Sequence, residues 1–179
     1  MRHIPNILSS FRIVLIPFFV IHVIRGEMVA AAIVLIVSGL TDLLDGFLAR
    51  RFQWVTQLGK VLDPFADKLT QITVCVLFFV VFGHQFRLFF AFLIFKELVM
   101  LLTGAYLFRK DVKINGARWF GKVATALFYF SMILIALFPV LPVEVKYALL
   151  ITICVCELIA GLWYLPEFRL YRRQTKMAE

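Results

Sequence analysis

Four aspartates form two closely spaced pairs in the first half of the sequence. Asp42 and Asp45 are three residues apart, and Asp63 and Asp67 are four apart. In an α-helix either spacing places both carboxylates on one face. Four carboxylates that meet at one point repel each other unless cations compensate them. Oxygen ligands suit hard divalent ions, so the pattern predicts that all four aspartates bind Mg²⁺ or Mn²⁺, with two ions in the site.

A simpler interpretation is that these aspartates are solvated at helix ends, or paired with nearby bases such as Arg50, Arg51 and Lys60. Two pairs that both have helical spacing argue against it. Small residues also allow a ligand or a second backbone to come close. Three of them lie next to or between the aspartates, namely Gly46, Ala49 and Gly59.

The elements that carry these residues are long apolar runs. The chain has 179 residues, 63% of them hydrophobic, and a mean hydropathy of +0.94. A soluble domain of this composition could not cover its core, whereas about 20 apolar residues in a helix cross a bilayer. We expect a single all-α domain over 1–179, an integral membrane bundle with a basic tail at about 167–179. Its six transmembrane helices are predicted at 5–24, 28–48, 60–82, 86–108, 118–139 and 143–165.

The net charge is +8, and the basic residues are distributed along the sequence as in a membrane protein. If the termini share one side, that side carries thirteen of the nineteen Lys and Arg residues, against Arg25, Arg87 and Lys146 opposite. The positive-inside rule then predicts that both termini are cytoplasmic. We expect a multi-pass protein of the inner or plasma membrane whose active site faces the cytoplasm, and no nucleic-acid partner.

The residues from Asp42 to Asp67 resemble the signature of the CDP-alcohol phosphotransferase family. That signature is D-x-x-D-G-x-x-A-R, eight residues, then G-x-x-x-D-x-x-x-D. All eight of its fixed positions are matched here, by Asp42, Asp45, Gly46, Ala49, Arg50, Gly59, Asp63 and Asp67. The predicted six-span layout extends the resemblance over nearly the whole chain.

The resemblance implies a function for each of these positions. Asp42, Asp45 and Asp63 would bind the metals, and Asp67 would share in ligation and act as the catalytic base. Gly46, Ala49, Arg50 and Gly59 would line the site of the CDP-lipid, here CDP-diacylglycerol. Members of the family are homodimers among membrane lipids, and they transfer the substituted phosphate group to an alcohol.

Further residues are similar to the family branch of the bacterial phosphatidylglycerophosphate synthases, whose acceptor is glycerol 3-phosphate. Asn6 and Arg12 match an N-terminal P-N-x-L-T-x-x-R pattern, in which Ser9 replaces the usual threonine. We assign Asn6 and Arg12 to the CDP-lipid site. An acceptor that carries a phosphate needs cations. The candidate residues are Lys96, Lys113, Arg118 and Lys122.

Several alternatives remain open at this point. Cardiolipin synthases that use phosphatidylglycerol share the D-P-x-A-D-K segment at Asp63 to Lys68. Sister branches use inositol phosphate or serine as acceptor. The protein could also be a transporter and not an enzyme, because acidic residues within a membrane also mark ion pathways. Glu157 is an isolated acid in the last apolar run, and the sequence assigns it no role.

Overall fold

The computed structural model describes residues 4–52, 59–82, 84–109 and 119–178, and within these ranges it contains helices and no strand. A single 3₁₀ turn, His84–Phe86, precedes the fourth helix. The six α-helices are α1 Ile4–Ile24, α2 Met28–Phe52, α3 Gly59–Val81, α4 Arg87–Arg109, α5 Trp119–Leu137 and α6 Val143–Ala178. The prediction of an all-α bundle is confirmed, and each of the six helices contains a stretch long and apolar enough to cross a membrane.

Two helices extend beyond the predicted spans. Helix α2 continues to Phe52 and α6 to Ala178, so the segment expected as a tail is helical. The apolar stretch found within α6 includes Val143–Leu162, and the end of the helix carries charged residues such as Glu167, Arg172 and Arg173. A fall in hydropathy ends a span but not a helix, because helical hydrogen bonds are internal to the backbone and do not require a bilayer.

The tight connection between α1 and α2 depends on Gly26. Its φ of 74° is the left-handed conformation that glycine adopts without a steric penalty. The amides of Arg25, Gly26 and Glu27 donate to carbonyls of the last turn of α1. This closure of the helix end lets α2 begin at Met28 and return antiparallel to α1.

The helices are arranged in a ring that does not follow their order in the chain. The main contacts run α1 to α2, α2 to α5, α5 to α6, α6 to α4, α4 to α3, and α3 back to α1. Helix α1 therefore lies between α2 and α3, the two helices that carry the aspartate pairs. The residues of α1 are in position to touch both pairs.

Aromatic packing holds one end of the ring together. The Phe78 ring of α3 lies 6.4 Å from Phe19 of α1 and 6.0 Å from Phe90 of α4. Phe86 and Tyr147 pack with ring centroids 5.0 Å apart and tie the 3₁₀ turn before α4 to α6. Buried apolar side chains dominate here, whereas the aspartates lie towards the other end of α2 and α3.

The outer surface of the ring is apolar, and the interior is partly polar. Large exposed hydrophobic side chains occur along the helices, as with Val80, Leu88, Phe95 and Leu102. Charged and amide side chains are buried instead, among them Arg12 and Asp45. Soluble proteins rarely expose apolar surface on this scale, and the pattern fits a lipid environment.

Candidate functional site

Arg12 of α1 binds both acids of the first aspartate pair. Its Nη1 donates to Asp42 Oδ1 and its Nη2 to Asp45 Oδ2. The Arg12 side chain is fully buried, and Asp42 is 33% exposed. The two contacts use the planar fork of the guanidinium, which a lysine could not reproduce. Two carboxylates three residues apart thus share one face of α2, as the spacing predicts.

Ser9 of α1 joins the first aspartate pair to the second. Its buried hydroxyl lies 3.4 Å from Asp45 Oδ2 on α2 and within hydrogen-bond distance of Asp63 Oδ1 on α3. A hydroxyl has one proton to donate, so it donates to one carboxylate at a time. One acid of each pair therefore reaches the same point, and α2 and α3 converge there through α1.

Asp67 lies one turn along α3 from Asp63 and has its own polar partners. Gln71 Nε2 lies 3.3 Å from both of its carboxylate oxygens, and the Tyr129 hydroxyl of α5 lies 3.5 Å from Oδ1. Lys68 Nζ is 3.8 Å from Oδ2. Three side chains therefore surround this carboxylate. The Asp67 side chain is 17% exposed, so a small ligand can still reach it.

The chemistry of the aspartates fits a divalent metal. In the described part of the chain, no three acidic, histidine or cysteine side chains are already arranged around a shared cation position. The positive charge among the acids of α2 comes instead from Arg12. Asp42, Asp45 and Asp63 offer only oxygen ligands, which suit Mg²⁺ or Mn²⁺. These residues would hold such an ion if Arg12 released its carboxylates.

The other residues assigned to the CDP-lipid lie on the same three helices. Gly59 is buried at the first position of α3. Asn6 is in the first turn of α1, and Gly46, Ala49 and Arg50 follow Asp45 along α2. For these four residues the description covers the helical backbone and not the side chains.

Of the four candidates for the acceptor phosphate, the structure describes Lys96 and Lys122, which belong to different helices. Lys122 is exposed in the first turns of α5. Lys96, in the middle of α4, contacts the carboxylates of Glu97 and Glu157. Lys113 and Arg118 lie outside the residues that the structure describes. The phosphate-binding role of each stays a prediction, and two carboxylates already compensate the charge of Lys96.

Sequence reasoning missed several partners of the site. Gln71 follows Asp67 by four residues, a helical spacing that would have identified it. Ser9 precedes Arg12, which was already assigned to the site, by three residues, so helical spacing would have identified Ser9 as well. No pattern indicates Tyr129 or Glu157, because their partners lie 62 and 61 residues away in the chain and belong to other helices.

Pairwise comparison with known proteins finds relatives that match part of the chain. A CDP-diacylglycerol--glycerol-3-phosphate 3-phosphatidyltransferase of Haemophilus influenzae is 41% identical over 78 residues, which are 42% of this chain and 42% of the relative. The protein of the same name from Escherichia coli K12 is 46% identical over 70 residues, 37% of this chain and 38% of the relative. The chain thus matches about two fifths of the length of these curated relatives.

The profile of one family covers far more of the chain than these pairwise matches do. It extends over residues 2–162, which include α1 to α5, the transmembrane part of α6 and all four aspartates. The chain belongs to the CDP-alcohol phosphatidyltransferase family.

Proposed function

We propose that this protein transfers a phosphatidyl group from CDP-diacylglycerol to glycerol 3-phosphate, giving phosphatidylglycerophosphate and CMP. One observation carries the proposal: the Ser9 hydroxyl contacts a carboxylate from each aspartate pair. This contact supports a single site shared by α1, α2 and α3. The names of the partial relatives support the choice of glycerol 3-phosphate as acceptor.

The proposal includes two divalent ions, Mg²⁺ or Mn²⁺, with Asp42, Asp45, Asp63 and Asp67 as ligands. When bound, such ions would neutralise the charge on the pyrophosphate of the CDP-lipid. Without them, four carboxylates would oppose the binding of another anion. The partly exposed Asp42 is the acid of the first pair that an ion can approach from outside the bundle.

The proposed reaction is a direct displacement with no covalent enzyme intermediate. The acceptor oxygen forms a bond to the β-phosphorus of the CDP-lipid, and the bond from that phosphorus to the oxygen bridging towards cytidine breaks. CMP leaves with that oxygen. The acceptor proton passes to Asp67, which requires a distance of about 3 Å between the two oxygens. Gln71 and Tyr129 support this role because they fix the orientation of the Asp67 carboxylate.

The remaining site residues serve substrate binding in the proposal. Asn6, Arg12, Gly46, Ala49, Arg50 and Gly59 would bind the CDP-lipid. Lys96, Lys113, Arg118 and Lys122 are the candidates for the acceptor phosphate, and the exposed Lys122 is the one that the described structure leaves accessible. We further propose a homodimer whose active site opens to the cytoplasm.

The test measures CMP release by purified protein in detergent with CDP-diacylglycerol and Mg²⁺ or Mn²⁺. The acceptors compared are glycerol 3-phosphate, phosphatidylglycerol, serine and inositol phosphate. We expect release with glycerol 3-phosphate, reduced about 10²- to 10⁴-fold in Asp67→Asn because the general base is lost. Glu27→Gln is the matched control, since Glu27 is an exposed carboxylate paired with His22 at the other end of α1.

Each other outcome has a definite meaning. Release with phosphatidylglycerol alone would reassign the protein to cardiolipin synthesis. Release with serine or inositol phosphate would move it to a sister branch. No release with any acceptor or metal, from protein that elutes as a folded species, would overturn the enzymatic proposal and favour a transporter.

A further inference from the structure

A second group of charged side chains lies inside the bundle, on α3, α4 and α6. Lys68 Nζ lies 2.8 Å from Glu97 Oε2, and Lys96 Nζ lies 2.8 Å from Glu97 Oε1. Lys96 also pairs with Glu157. The Glu97 side chain is 1% exposed and that of Glu157 is 3% exposed. Cations and anions therefore alternate across three helices.

Stability alone does not account for this group. Charged side chains within a membrane are costly and usually functional. A buried ion pair replaced by well-packed apolar residues often leaves a protein equally or more stable. Leucines at the same positions would join α4 to α6 without desolvating any charge. The cluster therefore calls for a role other than holding helices together.

The cluster leads to Asp67. Lys68 stands between the carboxylates of Glu97 and Asp67, at 2.8 and 3.8 Å. Gln71 accepts a hydrogen bond from Lys68 at 3.2 Å and donates to Asp67. The position of the Lys68 ammonium thus sets part of the surroundings of Asp67. Glu97 contacts that ammonium through Oε2 and Lys96 through Oε1, and Lys96 also pairs with Glu157.

We propose that Glu157 and Lys96 are positioning residues that act on Asp67 through Glu97 and Lys68. In this chain of contacts two lysines share three carboxylates: Asp67, Glu97 and Glu157. Loss of either end carboxylate leaves two lysines with two acids. Loss of both ends leaves Lys68 and Lys96 with Glu97 alone. The two ends should therefore be coupled although they contact different lysines. The catalytic consequence rests on the role proposed above for Asp67.

The first experiment measures this coupling without using activity. Asp67→Asn and Glu157→Gln are made singly and together, and thermal unfolding is followed in detergent with a chelator present, so that metal ligation by Asp67 does not enter. We expect the double variant to lose at least about 3 °C more in Tm than the sum of the two single losses. Additive losses would overturn the proposal.

Two further sets of variants sharpen the interpretation. Asp67→Asn combined with Glu27→Gln should be additive, because Glu27 pairs with His22 away from the cluster. Replacing Lys96 and Glu157 together by leucine removes the far pair and leaves Lys68 with Glu97. In that background Asp67→Asn should lower Tm by no more than it does in the wild-type protein. This set of variants also tests the proposal if Glu157→Gln fails to fold. A larger loss of Tm caused by Asp67→Asn in the leucine background would contradict the proposed connection.

The second experiment tests the effect on catalysis. Glu157→Gln should lower kcat for CMP release roughly tenfold, because the Asp67 carboxylate is then misplaced. The KM for CDP-diacylglycerol should stay unchanged, because the substitution does not affect lipid binding. An unchanged kcat in an active enzyme would overturn the catalytic part of the inference. If wild-type protein releases no CMP, the proposed function fails, and the thermal experiment still decides whether Glu157 acts on Asp67.

Discussion

At the residue scale, Arg12 has the most informative position. Its guanidinium contacts Asp42 and Asp45, two of the carboxylates proposed as metal ligands. A metal ion bound by Asp42 and Asp45 would compensate the same negative charges that the Arg12 guanidinium compensates. Binding of a metal and release of Arg12 should therefore be linked, which would free the guanidinium for the phosphates of a lipid substrate.

We predict that Arg12→Met makes the protein more dependent on metal for its stability. Without metal the variant should lose about 3 kcal/mol, because removal of one partner leaves buried carboxylates uncompensated. Saturating Mn²⁺ should then raise its Tm by more than it raises the wild-type Tm. Differential scanning fluorimetry with and without Mn²⁺ measures both, and Arg25→Met, at the other end of α1, is the control. Equal increases in Tm would contradict the competition.

The sequence predicts some of the contacts between these residues and not others. Spacing alone indicates that Asp42 and Asp45 share a face, as do Asp63 and Asp67, because both members of each pair belong to one helix. The partners of Arg12 could not be predicted in this way. They lie 30 and 33 residues away on another helix, and the spacing of residues in one helix carries no information about the neighbouring helix.

At the scale of the elements, α2 and α5 meet where Gly39 faces Tyr129. A Cβ atom built on Gly39 would lie 4.0 Å from Tyr129 Cδ1, which is an ordinary van der Waals contact. A larger side chain would reach the Tyr129 ring, whose hydroxyl lies beside Asp67. The spacing of these two helices thus affects the site directly.

We predict that Gly39→Ala is tolerated and that Gly39→Leu is not. The leucine should cost about 1–3 kcal/mol by overpacking and should lower the rate of CMP release by displacing Tyr129. Gly104→Leu on α4 is the matched control, since a Cβ atom there has nothing within 4 Å. Thermal unfolding and CMP release measure the two effects. Full activity in Gly39→Leu would show that the position of Tyr129 is unimportant.

Hydropathy predicts the helices themselves but not their order around the ring. All six spans are apolar on most sides, and lipid chains are as apolar as leucine, so no single face identifies its neighbour. The position of α1 between α2 and α3 follows from long-range contacts alone. For the same reason Glu157 has no assigned partner in the sequence, although it pairs with Lys96.

At the scale of the whole molecule, the distribution of charge predicts the orientation in the membrane. Arg51, near the end of α2, should face the cytoplasm, and the turn between α5 and α6 should face the opposite side. Val140 lies in that turn and is 94% exposed. Arg51 is exposed as well, so both positions are suited to chemical labelling.

We expect a membrane-impermeant maleimide to label Val140→Cys in right-side-out vesicles and Arg51→Cys in inverted ones. Cys75, Cys154 and Cys156 are replaced by alanine beforehand, which removes the three native thiols. The measurement is the labelled fraction by mass spectrometry, with detergent-solubilised protein as the control for full access. Labelling of Arg51→Cys from outside would reverse the orientation and place the aspartates at the outer face.

The position of α1 between the two aspartate helices also bears on how the chain enters the membrane during synthesis. Helices α1 and α2 emerge from the ribosome before α3, and they bring Arg12 together with Asp42 and Asp45. This hairpin carries its own counter-charge, so it can leave the translocon without exposing two bare carboxylates to lipid. Helix α3 then packs against the side of α1 that α2 does not cover. It carries Lys68 next to Asp67, so the charge of this aspartate is partly compensated as well. We therefore expect the ion pairs of the folded protein also to lower the cost of inserting these helices.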